Sequence, residues 1–116
     1  MNETKAQHTP GPWAVGYGGM EGDGYATITS PHSQFVIAEL GGAGYRSANA
    51  CLIATSPELL EELKSAHVII RNALNIMDTA QKIEWAKRNE RDGVTGEGDT
   101  RAHEREGAIA RSEGRA

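Results

Sequence analysis

Phe35-Val36-Ile37-Ala38-Glu39-Leu40-Gly41-Gly42-Ala43-Gly44-Tyr45-Arg46-Ser47-Ala48-Asn49-Ala50-Cys51-Leu52-Ile53-Ala54-Thr55 is the stretch in which the chain changes its hydrophobic period. Before the glycines, Phe35, Ile37 and Glu39 alternate with the period of two that marks a strand. After them, Ala48, Leu52 and Thr55 share one helical face, with Ala50, Ile53 and Ala54 beside it. A sheet followed by helices is the α+β order.

Working back from the glycines, Trp13, Val15 and Tyr17 alternate, and so do Tyr25, Thr27 and Thr29. The segments between them, Gly18 to Gly24 and Ser30 to Ser33, are rich in residues that supply positive φ or a fixed proline φ, and both are short enough for hairpins. The expected sheet is a small antiparallel three-stranded meander. Working forward, residues 47–55 read as a short, almost uncharged, buried helix. Ser56-Pro57-Glu58 then supplies a capping side chain, a proline at the first helical position and an acid near the positive end of the dipole, which predicts a second helix starting at Pro57. This long amphipathic helix is expected to reach about Arg88, with Leu59, Leu63, Ala66, Ile70, Ala73, Met77 and Ala80 at heptad spacing. Leu60, Val68, Ile69, Leu74, Ile76 and Ile83 widen its apolar surface, so that one face can cover the sheet while another serves a partner chain. After Asn89 only Val94 and Ile109 are large and apolar, and the mixed charges nearly cancel, which predicts a disordered polar tail. The expected organisation is a flexible N-terminus over residues 1–7, a single α+β domain over 8–88, and the tail over 89–116.

The composition excludes several classes. An apolar fraction of 38% with one Phe, two Trp and three Tyr is thin against an ordering cost of about 1–2 kcal/mol per residue. The net charge of -4, without a basic cluster, speaks against nucleic-acid binding, which draws its affinity from grouped Lys and Arg. One cysteine, Cys51, excludes an intramolecular disulfide and fits a reducing compartment, with the cytosol as the expected location. Neither a secretory signal nor a spanning apolar run of about 20 residues is read from the sequence, so no membrane partner is expected.

The candidates for chemistry are few. The glycine run 41–44 sits between strand and helix, where backbone N–H groups can receive phosphate, and Arg46 follows it. The run lacks the lysine and hydroxyl of a P-loop and the spacing of a dinucleotide fingerprint, and it reads first as a flexible turn. His8, His32, His67 and His103 have no second ligand at i+3 or i+4, so no metal is expected. Cys51 reads as a small hydrophobe in the short helix, and Glu58, Glu61 and Glu62 as acids that favour the helix dipole. Asn49 is polar among apolar neighbours, which predicts a partly buried amide paired to a turn or the sheet, with ligand contact as the alternative. Trp13 is expected in the core, and Trp85, with no strand nearby in sequence to cover it, at a contact with another subunit or protein.

Three blocks, His8-Thr9-Pro10-Gly11-Pro12-Trp13, Ala48-Asn49-Ala50-Cys51-Leu52-Ile53-Ala54 and Pro57-Glu58-Leu59-Leu60-Glu61-Glu62-Leu63, together resemble a widespread group of small phage and prophage proteins. That group shows an HTPGPW opening and an ANAxLIA and PELLEAL helical segment. The likeness covers about residues 8–64. Cys51 departs from the arginine usual in the pattern, and Ser56 from a small residue before Pro57. The resemblance implies a phage context and an α+β domain, and carries over no active residue.

The expected function is that of a phage or prophage accessory protein acting by binding rather than catalysis, without catalytic residues or a cofactor, antagonising a host defence component. A homo-oligomer is expected, with Ile70, Met77 and Trp85 at a partner or subunit interface. The alternative is a sponge for a nucleotide-type small ligand, held at a subunit interface by Gly42, Gly44, Arg46, Asn49 and Arg71.

Overall fold

The computed structural model describes residues 8–18, 24–41 and 46–115. The segment expected as a flexible N-terminus (1–7) and the candidates Gly42 and Gly44 lie outside these residues. The elements are β1 (Ala14–Gly18), β2 (Tyr25–Thr29), β3 (Ala38–Leu40), α1 (Arg46–Ile76), α2 (Thr79–Arg91) and α3 (Ala102–Ser112). The protein is α+β, as its change of period indicates. It divides into two compact units, residues 1–59 and 60–116.

The first unit is an antiparallel sheet in the order β1-β2-β3, covered on one face by the first turns of α1. The register places Val15, Ile28 and Ala38 in one row and Tyr17, Ala26 and Leu40 in the next. Of these, Ala26 and Ile28 are fully buried and join Ala50 and Ala54 of α1 in the core; Trp13, Val15, Ile37, Ala38, Leu40 and Ile53 pack around them. Alanines four residues apart on α1 let the helix pack over the sheet, so that among the described residues the core closes with a single fully buried large side chain, Ile28. That is how a chain so poor in aromatics closes a core. Tyr25, Thr27 and Thr29 take the opposite face, where the Tyr25 ring lies over Gly18 so closely that a Cβ there would come within 2.9 Å of it. The third strand is shorter than its alternation predicts. Phe35 is held in a turn by its N–H to Ser33 Oγ (3.2 Å), and pairing begins with the Ile37 N–H to the Ile28 carbonyl (2.8 Å).

The segment before β1 is tied to both layers. The Trp13 indole N–H donates to the Thr9 carbonyl (3.0 Å), the His8 ring stands edge-on to the indole, and buried Ser30 donates to the Pro10 carbonyl (2.8 Å). Gly11 abuts α1, since a Cβ on it would lie 3.0 Å from Pro57 Cβ.

Four expectations about the helices are corrected. The short helix 47–55 and the start at Pro57 are parts of one helix, α1, which runs straight through Pro57. An internal proline loses one hydrogen bond and crowds the preceding turn, a cost of about 3 kcal/mol. Here its ring is buried against Gly11, so a contact distant in sequence overrides the local start signal. The N-terminal part of α1 is not buried all round: Asn49, Cys51 and Leu52 are exposed and only Ala50 and Ala54 are covered. The long helix then stops at Ile76, because Asp78 caps a new one. Asp78 Oδ1 accepts from the Gln81 N–H (2.8 Å) and Gln81 Oε1 accepts from the Asp78 N–H (2.9 Å). Asp78-Thr79-Ala80-Gln81 is a capping box readable in the sequence.

The fourth correction concerns the tail. Residues 102–112 form α3, in the second unit with α2 and the later part of α1. Gly93, with φ +70, closes α2 as only glycine does without strain. The Asn89 amide donates to the Asp99 carbonyl (2.9 Å), which returns the chain toward α2. Arg101 enters α3 with left-handed backbone (φ 55), its guanidinium donating to the Thr95 carbonyl. Leu60 and Ile109 are the large apolar side chains buried in this unit. His67 of α1 meets Arg105 and Glu106 of α3, and Lys64 meets Glu113 at the C-terminal cap of α3. The composition argument fails here because a charged helix with one buried isoleucine orders once its charges find partners on its neighbour.

Candidate functional site

An open surface groove on the second unit is built by α2 and the turn that enters it. Spacing of four, seven, eight and eleven residues puts Met77, Gln81, Glu84, Trp85 and Arg88 on one side of the helix and its entry turn. They line an open groove of about 280 Å³. Its floor is Met77 and the half-buried Trp85; its rim is Gln81 and the Glu84–Arg88 ion pair (3.0 Å). The other side of Trp85 borders a second hollow of about 240 Å³, lined by Leu74, Lys82, Ala86, Asp99 and Thr100. Met77 and Trp85, candidates from the sequence, are thus brought together. Gln81, Glu84 and Arg88 were missed, although helical spacing from Met77 finds them. Asp99 and Thr100 were hidden in the segment expected to be disordered.

The other described candidates do not line this groove. Ile70 is half-buried on α1 and does not line the groove; Asn49 and Arg71 are exposed, the first in the first unit and the second in the other. An exposed Asn49 needs no partner in the fold, which corrects the expected buried amide. Arg46 begins α1. Cys51 is exposed rather than buried. Among the described residues no group of three or more His, Cys, Asp or Glu side chains is arranged to hold a metal ion.

In the same unit, α3 is pinned by a polar network. Arg105 Nε donates to His67 Nδ1 (3.3 Å), so the ring proton is assigned to Nε2, which lies 3.4 Å from Glu106. Arg105 also donates to the Thr100 carbonyl. Glu104 accepts the Glu97 N–H (2.8 Å), and that backbone bond, ahead of the nearby Arg101 and His103 charges, holds its carboxyl below the ordinary range. Lys64 Nζ lies 2.7 Å from Glu113, whose other oxygen meets Arg115 at 2.7 Å. The hydrogen bond from Lys64, then that from Arg115, lowers the Glu113 carboxyl below its ordinary 4.5. A lowered folded-state value contributes stability that is complete above the ordinary value and is lost as the pH falls through the lowered one. Docking of α3 is therefore expected to survive acidification to the ordinary glutamate range and fail only below it. A carboxyl titration by NMR checks this: Lys64→Met should move the Glu113 midpoint upward, and an unmoved midpoint would remove Lys64 as the cause.

The whole chain, residues 1–116, matches the family described as Salmonella phage P22 protein Y8K6. The chain belongs to that family. No curated protein and no solved structure matches it. Membership in the P22 protein Y8K6 family places the chain among phage proteins, as the three sequence blocks suggest, and extends the likeness over α2 and α3. In this member residues of those blocks are packing residues, with Trp13 and Ile53 against the core that holds Ala50 and Ala54, and Gly11 against Pro57. Among the described residues no helix is long and apolar enough to cross a membrane.

Proposed function

We propose that this member of the P22 protein Y8K6 family is a non-catalytic accessory protein of the phage that acts in the host cytosol, as a homo-oligomer, by binding and antagonising a host defence protein. The observation that carries the reading is the apolar surface left open on the second unit. Val68, Ile69 and Ile76 on α1 and Ile83 on α2 are 55%, 66%, 87% and 53% exposed. Full burial of such a side chain yields about 1.5–3 kcal/mol, so a partner covering several of them gains a usable affinity. Membership in a phage family supports the host cell as the place where the partner is met.

The test is affinity capture from host lysate with the full chain and with Val68→Asp/Ile69→Asp. Both side chains are exposed, so helix content by circular dichroism should be unchanged while the host protein retained by the wild type is lost. Wild-type protein that retains only itself, or a double variant that retains the same host protein, would sink the reading.

A further inference from the structure

We infer that the groove floored by Met77 and Trp85 is the contact between two copies of this chain, joined by antiparallel packing of α2 on α2. The inference rests on the homo-oligomer reading above and names its surface. Its first support is the lining. Trp, Met and Arg are the side chains enriched in the buried centres of protein interfaces, and here Met77, Trp85 and Arg88 occur together on one helix face, with Trp85 only half-covered by its own chain.

Its second support is charge. Glu84 and Arg88 stand one turn apart on the groove rim, the acid toward the N-terminal end of α2 and the base toward its C-terminal end. That order complements itself in the antiparallel arrangement, where Glu84 faces the partner's Arg88 and Arg88 faces the partner's Glu84. A parallel arrangement in register would set like against like. The helix dipoles also favour the antiparallel pair. With Gln81 and Arg91 at matching distances on either side of the Glu84–Arg88 midpoint, each end of the contact places an amide opposite a guanidinium. The arrangement is closed and two-fold, the commonest symmetry of small oligomers.

The experiment is molar mass by light scattering and sedimentation equilibrium on the full chain, at low and high salt. The wild type is expected to be a dimer that weakens as salt rises. E84R, at an exposed position and therefore compatible with folding, sets a guanidinium against the partner's Arg88 and should raise the dimer Kd by about tenfold or more. E84R/R88E restores the complementarity and should return Kd to near the wild-type value. W85A should dissociate the dimer; E84R covers the case in which W85A does not fold. A wild-type dimer that E84R and W85A leave intact would overturn this contact and leave the homo-oligomer reading standing. A monomeric wild type would overturn both, and loss of the captured host protein from W85A in a monomeric background would assign the groove to that protein instead.

Discussion

Replacing Ile28 with alanine is expected to destabilise the first unit by about 3–5 kcal/mol, the upper part of the range for large-to-small core substitutions. Ile28 is fully buried, paired between Val15 and Ala38, and its covering neighbours on α1 are Ala50 and Ala54. Alanines have no side-chain freedom with which to fill the space left, and the ladder fixes the distance between strands, so the cavity persists. Urea denaturation followed in the far ultraviolet checks the prediction. The midpoint should fall with little change in slope, the signature of lost stability without a change in exposed area. Phe35→Ala, at a side chain that is 71% exposed, should shift the midpoint by no more than about 0.5 kcal/mol equivalent. Equal effects at the two positions would mean that the core is not where the structure puts it.

Ending the chain at Gly93 is expected to cost the second unit about 1.5–3 kcal/mol, from the lost burial of Ile109. It also leaves Lys64 without Glu113 and His67 without Arg105 and Glu106. Hydrogen exchange resolves the result by position: amides of residues 60–76 should lose protection in the shortened chain. Ile109→Asp, which keeps every other residue but buries a carboxylate without a partner, should give the same loss. A shortened chain with unchanged protection would restore the view of residues 94–116 as a passive tail. For comparisons of full and shortened protein the consequence is practical, because a change in molar mass on truncation would report a damaged unit rather than a subunit contact.

The candidate site was partly legible in the sequence. Trp85, on a helix with no strand nearby in sequence to cover it, and Met77, on the heptad seam, were expected at a contact, and the structure sets both along one groove. Gln81, Glu84 and Arg88 follow from the same helix by spacing alone. Gly42, Gly44, Arg46, Asn49 and Arg71 were grouped by chemical type; Asn49 and Arg71 are exposed, and Gly42 and Gly44 lie outside the described residues.

What the amino-acid order determined by itself was local. Period-two alternation set the three strands and their antiparallel order, the glycine run marked the change to helix, and Asp78 with Gln81 encoded the break between α1 and α2 within four residues. Each of these is decided by backbone sterics or hydrogen bonds among near neighbours. Tertiary structure decided the rest. It chose Ala26 and Ile28 over Tyr25 and Thr27 as the buried face of β2, because only small or aliphatic side chains fit beneath Ala50 and Ala54. It carried α1 through Pro57, because Gly11 lies against the ring. It ordered α3, because the charges of a segment too polar to fold alone meet Lys64 and His67 from the neighbouring helix. The free energy in all three cases comes from groups far apart in sequence, which no local period or composition records.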